Sequence, residues 1–181
     1  MNRINFTLLA SMICMSSALL AGQVAAQDQP TAGSDPLAKF IGSGTCTGNV
    51  LAMGKKPGHA NAGKFRGEKT LDGHWVVIHY DEDQSTANPK PFHVAQYFSY
   101  DPEKKRYVTV SLYNSDSAYS IGTSAGWKGD SITFDESTDG KPASFRDIFT
   151  TGKAGLSSHT GMERDKHGKW IKTDEESCKN S

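Results

Sequence analysis

The stretch from Phe92 to Asn114, FHVAQYFSYDPEKKRYVTVSLYN, decides the fold. Ahead of its polar centre, Phe92, Val94, Gln96, Phe98 and Tyr100 alternate with His93, Ala95, Tyr97 and Ser99. Beyond it, Tyr107, Thr109, Ser111 and Tyr113 alternate with Val108, Val110 and Leu112. In the centre, Asp101-Pro102-Glu103-Lys104-Lys105, Pro102 presets φ for the first turn position and Asp101 is placed to bond the backbone just ahead of it. Period-two patterning on both arms of a short turn, rich in aromatic and β-branched residues, predicts a long antiparallel hairpin.

Working outward, the same unit recurs. Lys64 to Leu71 and His74 to Glu82 are strands joined at Asp72-Gly73, a tight-turn signal, and Thr45 to Met53 precedes them. Ala118 to Trp127, Ser131 to Ser137, Ala143 to Thr151, Leu156 to Arg164 and Lys169 to Cys178 follow. Ser34 or Asp35 is expected to cap a short N-terminal helix, with Pro36 at its first position, Leu37, Phe40 and Ile41 on one side, and Gly42 ending it. About ten short strands with turns between them predict an all-β protein, a sandwich or a barrel. Every connection is short enough for a hairpin, which favours an antiparallel up-and-down meander.

The cysteines sharpen that choice. Residues 1–26 have a basic start at Arg3, an apolar run from Phe6 to Leu20 and the small residues Val24-Ala25-Ala26, the pattern of a secretory signal peptide. Gln23 stands where a lipidated cysteine would have to be, so no membrane anchor is expected. Residues 27–34 read as a flexible lead-in and 35–181 as the barrel domain, periplasmic or secreted. With Cys14 removed in the signal, Cys46 and Cys178 remain, and in an oxidising compartment they are expected to form a disulfide; two independent thiols are the alternative. Cys46 lies early in the first strand and Cys178 at the end of the last. A closed meander makes those strands antiparallel neighbours, so the bond would staple the seam of a barrel.

Charge excludes some functions. The chain has 20 Lys and Arg against 20 Asp and Glu, so no global field draws it to nucleic acid or an anionic membrane. The meander also sorts the connections. Asp72-Gly73, Asp101 to Lys105 and Lys128 to Asp130 fall at one end; Gly54 to Gly63, Asp83 to Pro91, Asn114 to Ser117, Thr138 to Pro142 and Asp165 to Gly168 fall at the other. Ligand-holding barrels admit their ligand at such a looser mouth.

The candidate site residues follow from this geometry. Trp75, Tyr97, Tyr113 and Trp127 are aromatic residues suited to an apolar pocket, with barrel core as the ordinary alternative. His79, His93 and His159 lie within strands; one of them is suited to bind haem or to polarise a ligand carbonyl, although a hydrogen-bonded core histidine is the commoner case. His59 and His167 sit in mouth loops, where solvated histidines are ordinary. Of Arg146 and Asp147, one charge points inward and needs a partner or an anionic ligand. The alternate face of Ala118 to Gly126 is nearly all small, which makes room for a ligand, admits another chain, or is an outer surface. There is no HExxH or His-x-His spacing and no Gly-x-Ser-x-Gly elbow, so neither a zinc site nor a hydrolase triad is expected, and no cofactor is required.

Three segments carry a resemblance. PLAKFIGSGTCTG (Pro36 to Gly48) looks like the helix followed by Gly-x-Trp that opens many calycin barrels, such as lipocalins and nitrobindin-like proteins, with Cys46 where the tryptophan usually stands. YFSYDPEKKRYVTV and GWKGDSITF are similar to segments of a bacterial family of secreted lipocalin-like proteins whose activity is uncharacterised. The resemblance implies a calycin-like barrel and a small-molecule ligand. The expected function is therefore binding of a small, largely apolar molecule. The alternatives are a periplasmic protein-interaction factor of inhibitor or immunity type, and a cofactor-free isomerase or cyclase on the same barrel.

Overall fold

The computed structural model of the chain describes residues 35–114, 119–138 and 140–181. Residues 1–34, which hold the expected signal peptide, lead-in and Ser34 cap, lie outside the described residues. The strands are β1 (Gly42–Val50), β2 (His59–Thr70), β3 (Trp75–Glu82), β4 (His93–Asp101), β5 (Arg106–Tyr113), β6 (Tyr119–Ser124), β7 (Trp127–Lys128), β8 (Ser131–Ser137), β9 (Phe145–Gly152), β10 (Gly155–Arg164) and β11 (Trp170–Asn180). Neighbours in sequence pair antiparallel except β6 and β7; β6 pairs instead with β8, and β1 pairs with β11. Ten strands thus form a closed antiparallel barrel, while the two-residue β7 adds a short pairing to β8. Closure leaves no sheet edge, so every wall strand has its ladder partners on both sides.

The two closing seams differ in strength. β1 and β11 run together for seven residue pairs, from Gly44↔Asn180 to Val50↔Asp174, with Cys46 directly opposite Cys178 and joined to it by a disulfide. β6 and β8 share three pairs, Ile121↔Ser137, Gly122↔Glu136 and Thr123↔Asp135. The second seam needs glycine at its centre: a Cβ on Gly122 would stand 2.5 Å from Cγ of Glu136 and 2.8 Å from Cγ2 of Thr109. The opening hairpin is β4–β5, in register from Val94↔Tyr113 to Asp101↔Arg106. In its turn Asp101 Oδ1 accepts the Glu103 and Lys104 amides at 3.1 and 3.0 Å, which holds that carboxyl below its usual pKa.

Several sequence expectations are corrected. Pro36–Phe40 form a single 3-10 turn, with Asp35 Oδ1 accepting the Leu37 amide at 3.1 Å. The turn lies tightly across the barrel end, because Gly67 puts its backbone where a Cβ would be 1.8 Å from the Phe40 carbonyl. β2 begins at His59, well before Lys64, so the glycine-rich loop contracts to 51–58. The small residues Ala60, Ala62 and Gly63 permit this, and a Cβ on Gly63 would meet the Tyr80 ring at 2.7 Å. Trp127 leaves the alternation of β6 because Gly126, at φ +127°, turns the chain and sends the indole under the barrel.

One barrel end is filled. Phe40 packs on Phe98, Phe149 and Trp127 with centroids 4.9, 5.5 and 5.7 Å apart, and Phe98 continues to Phe134 at 5.3 Å. This aromatic floor lies at the end of the tight turns, including Asp101 to Lys105; the longer connections 51–58, 83–92, 138–144 and 165–169 lie at the opposite end. Above the floor the inner face turns polar. Thr109, Ser111, Ser120 and Glu136 are fully buried, whereas Leu112 and Ile121, on the opposite face of the same strands, are 46% and 51% exposed.

The disulfide closes a loop across 132 residues of sequence, so the paired variant Cys46→Ser/Cys178→Ser is expected to lose about 4–5 kcal/mol of stability on the chain-entropy account. Chemical denaturation measures the loss. Intact mass of the protein produced in an oxidising compartment should rise by two hydrogens on reduction, and free thiols before reduction would refute the pairing.

Candidate functional site

Between the aromatic floor and the loop end lies a cavity of about 420 Å³. Its apolar wall includes Phe65, Ile78, Val94, Phe149, Leu156 and Met162. Its polar wall comes from β2, β3, β9, β10 and β11, and His159 is the hub. The β10 strand alternates from Leu156, but a bulge at Ser157 shifts the register against β9, so Leu156 and His159 both line the cavity. Opposite His159, β11 presents Asp174, Glu176 and Cys178 at successive inward positions, and β9 presents Asp147.

The ring of His159 is held on both sides. Nε2 lies 3.2 Å from Asp147 Oδ1 and Nδ1 lies 3.2 Å from Asp174 Oδ2, with Glu176 Oε2 at 3.7 Å. Burial opposes the charge on the ring, but the hydrogen bonds to Asp147, Asp174 and Glu176 outweigh it and raise the pKa well above the ordinary histidine value. Burial likewise opposes the charge on Asp174, and the bond to His159 outweighs it, so this carboxyl titrates below its usual range. A cradle of backbone supports the pair. Gly161 donates its amide to Asp174 Oδ2 at 3.1 Å, and a Cβ there would stand 2.1 Å from Asp174 Oδ1. The imidazole face rests on Phe149 at 5.0 Å between centroids.

A second carboxyl lies deeper. Glu136 accepts from Ser111 Oγ at 3.2 Å, from Tyr113 Oη at 3.3 Å and from Ser120 Oγ. Gln96 bridges this layer to the hub, donating to Ser111 Oγ at 3.1 Å and to Asp147 Oδ2 at 2.8 Å. Burial, with the nearby Asp147 charge, pushes the Glu136 pKa up to about 8. The small inner face of β6 is therefore occupied: Gly122 and Ser120 make room for the Glu136 side chain.

Toward the mouth, Glu82 is buried and carries three bonds, from His59 Nε2 at 3.1 Å, Asn88 Nδ2 at 2.8 Å and the Phe92 amide at 2.8 Å. It fastens the 83–92 loop. Two buried polar groups on cavity-lining residues lack hydrogen-bond partners. Asn61 donates Nδ2 to Glu176 Oε1, which leaves its Oδ1 unpaired; the Tyr80 hydroxyl is also unpaired. Burial and the charges of Glu176, Glu82 and Asp174 raise the Tyr80 pKa and keep the phenol protonated.

Of the sequence candidates, Tyr113 lines the cavity. Trp75, His79, His93 and Tyr97 stand on the opposite face of β3 and β4 from Ile78, Tyr80, Val94 and Gln96, and His93 pairs with Asp81 on the exterior at 2.8 Å. Trp127 belongs to the floor. Arg146 clasps Asp135 at 2.6 and 2.9 Å and covers Trp170, so of the Arg146 and Asp147 pair the inward charge is Asp147. His159 has no free ring nitrogen for a haem iron, and His79 and His93 face away from the cavity. His59 reaches the cavity, whereas His167 remains in the exposed 165–169 turn.

Sequence reasoning left Asp147 as one member of an undecided pair and missed Asp174, Glu176, Glu136, Asn61 and Tyr80. Two signals were present. Asp174 and Glu176 are in phase with Cys178, and Glu136 is in phase with Ile132 and Phe134; each set alternates onto one face.

The fold and site define a closed antiparallel β-barrel with one plugged end and a histidine–carboxylate cavity. No family model matches the sequence, and no curated protein is similar to it. Among solved structures, the crystal structure of Rv2717c from M. tuberculosis is similar, with a TM-score of 0.58 and 11% identity over 82% of this chain and 98% of that one. At that identity the likeness speaks to the barrel fold alone.

Glu136 yields a signed prediction. Its folded pKa lies above its unfolded value, so the fold holds a proton that the unfolded chain releases, and stability falls between about pH 4.5 and 8 by up to about 1.4 kcal/mol per pH unit. Glu136→Gln keeps the volume and removes the titration. Its Tm should match the wild type near pH 5 and exceed it near pH 8; equal pH profiles for the two proteins would remove the buried titration.

Proposed function

We propose that the protein is an exported, lipocalin-like barrel that binds a small molecule whose largely apolar body occupies the cavity. The observation that carries this reading is the 420 Å³ space above the aromatic floor, walled by Phe65, Ile78, Val94, Phe149 and Leu156. A barrel of this size is commonly filled by its own side chains or left with room for one small ligand, and here room remains. The disulfide supports an oxidising, extracytoplasmic location. His159 supports binding more than acid–base turnover. Both of its ring nitrogens are committed to carboxylates, so it supplies fixed charge and not a free base.

The test uses Nile red, a neutral apolar dye. Its fluorescence is expected to rise saturably with added protein. Val94→Trp puts an indole into the cavity from its wall and should weaken the dye by about tenfold or more, with the thermal melt still cooperative. Non-saturable dye binding, or full affinity in the tryptophan variant, would sink the cavity-binding reading.

A further inference from the structure

The charges around the cavity do not balance. Its lining contains four carboxylates, Glu82, Asp147, Asp174 and Glu176, and no lysine or arginine among the described residues. Glu82 is committed at the mouth to hydrogen bonds from His59, Asn88 and the Phe92 amide. The other three share a single imidazole, that of His159, and even fully charged it leaves two formal negative charges. Glu176 is the most enclosed of the three, with its side chain 8% exposed. Carboxylates held away from water without a counter-charge are costly, so such a surplus attracts a cation.

A second, independent feature points the same way. Asn61 is 92% buried by its 8% exposure, and its amide orientation is set by Glu176: Nδ2 must face the carboxylate, since Oδ1 there would repel it. That leaves Asn61 Oδ1 as a buried acceptor without a donor, on the cavity wall beside the carboxylates. An unpaired acceptor next to surplus negative charge calls for a positively charged donor. The apolar wall of Phe65, Ile78 and Phe149 then suits the hydrocarbon portion of the same molecule.

We infer that the ligand is a cationic amine, its ammonium seated against Asp174, Glu176 and Asn61 Oδ1 and its apolar body against Phe65, Ile78 and Phe149. The inference rests on the cavity-binding reading and specifies the ligand's polar end. An anionic amphiphile, such as a fatty acid, is excluded by the same charges.

The experiment displaces Nile red with three chain-matched probes, decylamine, decanol and decanoate, at pH 7 and below their micellar concentrations. Decylamine is expected to compete about tenfold or more better than decanol, and decanoate worst, with the amine's advantage shrinking as salt is raised. Asn61→Leu and Glu176→Gln should each reduce the advantage over decanol several-fold while leaving decanol itself nearly unchanged. Because Glu176→Gln touches the His159 ring directly, Asn61→Leu serves as the variant one hydrogen bond removed from it, and cooperative thermal melts in both confirm folding. Equal competition by amine and alcohol overturns the amine inference and leaves cavity binding standing, as does tightest binding of decanoate. Failure of Nile red itself to bind saturably overturns both.

Discussion

The structure depends on the seam where β1 meets β11. An up-and-down sheet of this length has two free edges until its first and last strands pair, and pairing them requires bringing together chain ends that are far apart in sequence. Seven residue pairs and the Cys46–Cys178 bond meet that requirement. Once the seam is closed, the inside of the sheet becomes an enclosed volume, and each inward side chain is committed to filling it. The same strand then contributes to the site. From Cys178, β11 runs two steps to Glu176 and two more to Asp174, so the residues that close the barrel and those that hold His159 lie on one face of one strand.

The interior is divided by chemistry. Rings from Phe40, Phe98, Phe134 and Phe149 fill the turn end and exclude water there. Above them lies a connected polar network, Glu136–Ser111–Gln96–Asp147–His159, joined through Asp174 and Glu176 to Asn61. Buried charge is tolerated where partners surround it, and here three carboxylates sustain one imidazolium. Glu136 meets the same difficulty in another way: lying beside Asp147, it keeps its proton. The network is nearly complete, and its unpaired groups, Asn61 Oδ1 and the Tyr80 hydroxyl, both line the cavity.

Much of the architecture was legible because it follows from local rules. The Asp101-Pro102 turn forms with its Asx hydrogen bonds, and the arms on either side pair in register. Residue parity was also readable, as the β4–β5 hairpin shows. What parity lacks is a sign. Tyr107, Thr109 and Ser111 could have faced either way, and hydrophobicity would have sent Val108, Val110 and Leu112 inward. The barrel chose the polar set because Glu136, across the β6–β8 seam, needs hydroxyl partners and the narrow space beside Gly122 admits only small neighbours.

The sequence by itself determined the all-β class, the meander, the pairing of Cys46 with Cys178 and the separation of a tight end from a loop end. Each of these rests on period-two alternation, turn chemistry or the placement of two residues in the chain. Only the tertiary structure decided which face of each strand looks inward, because a two-residue period is unchanged when the strand is turned over. It also decided the site. The bulge at Ser157 brings His159 to the same side as Leu156, and closure carries Asp147, Asp174 and Glu176 to that ring from two neighbouring strands. A register shift of one residue leaves no mark in composition or spacing, yet it sets where the buried charge lies.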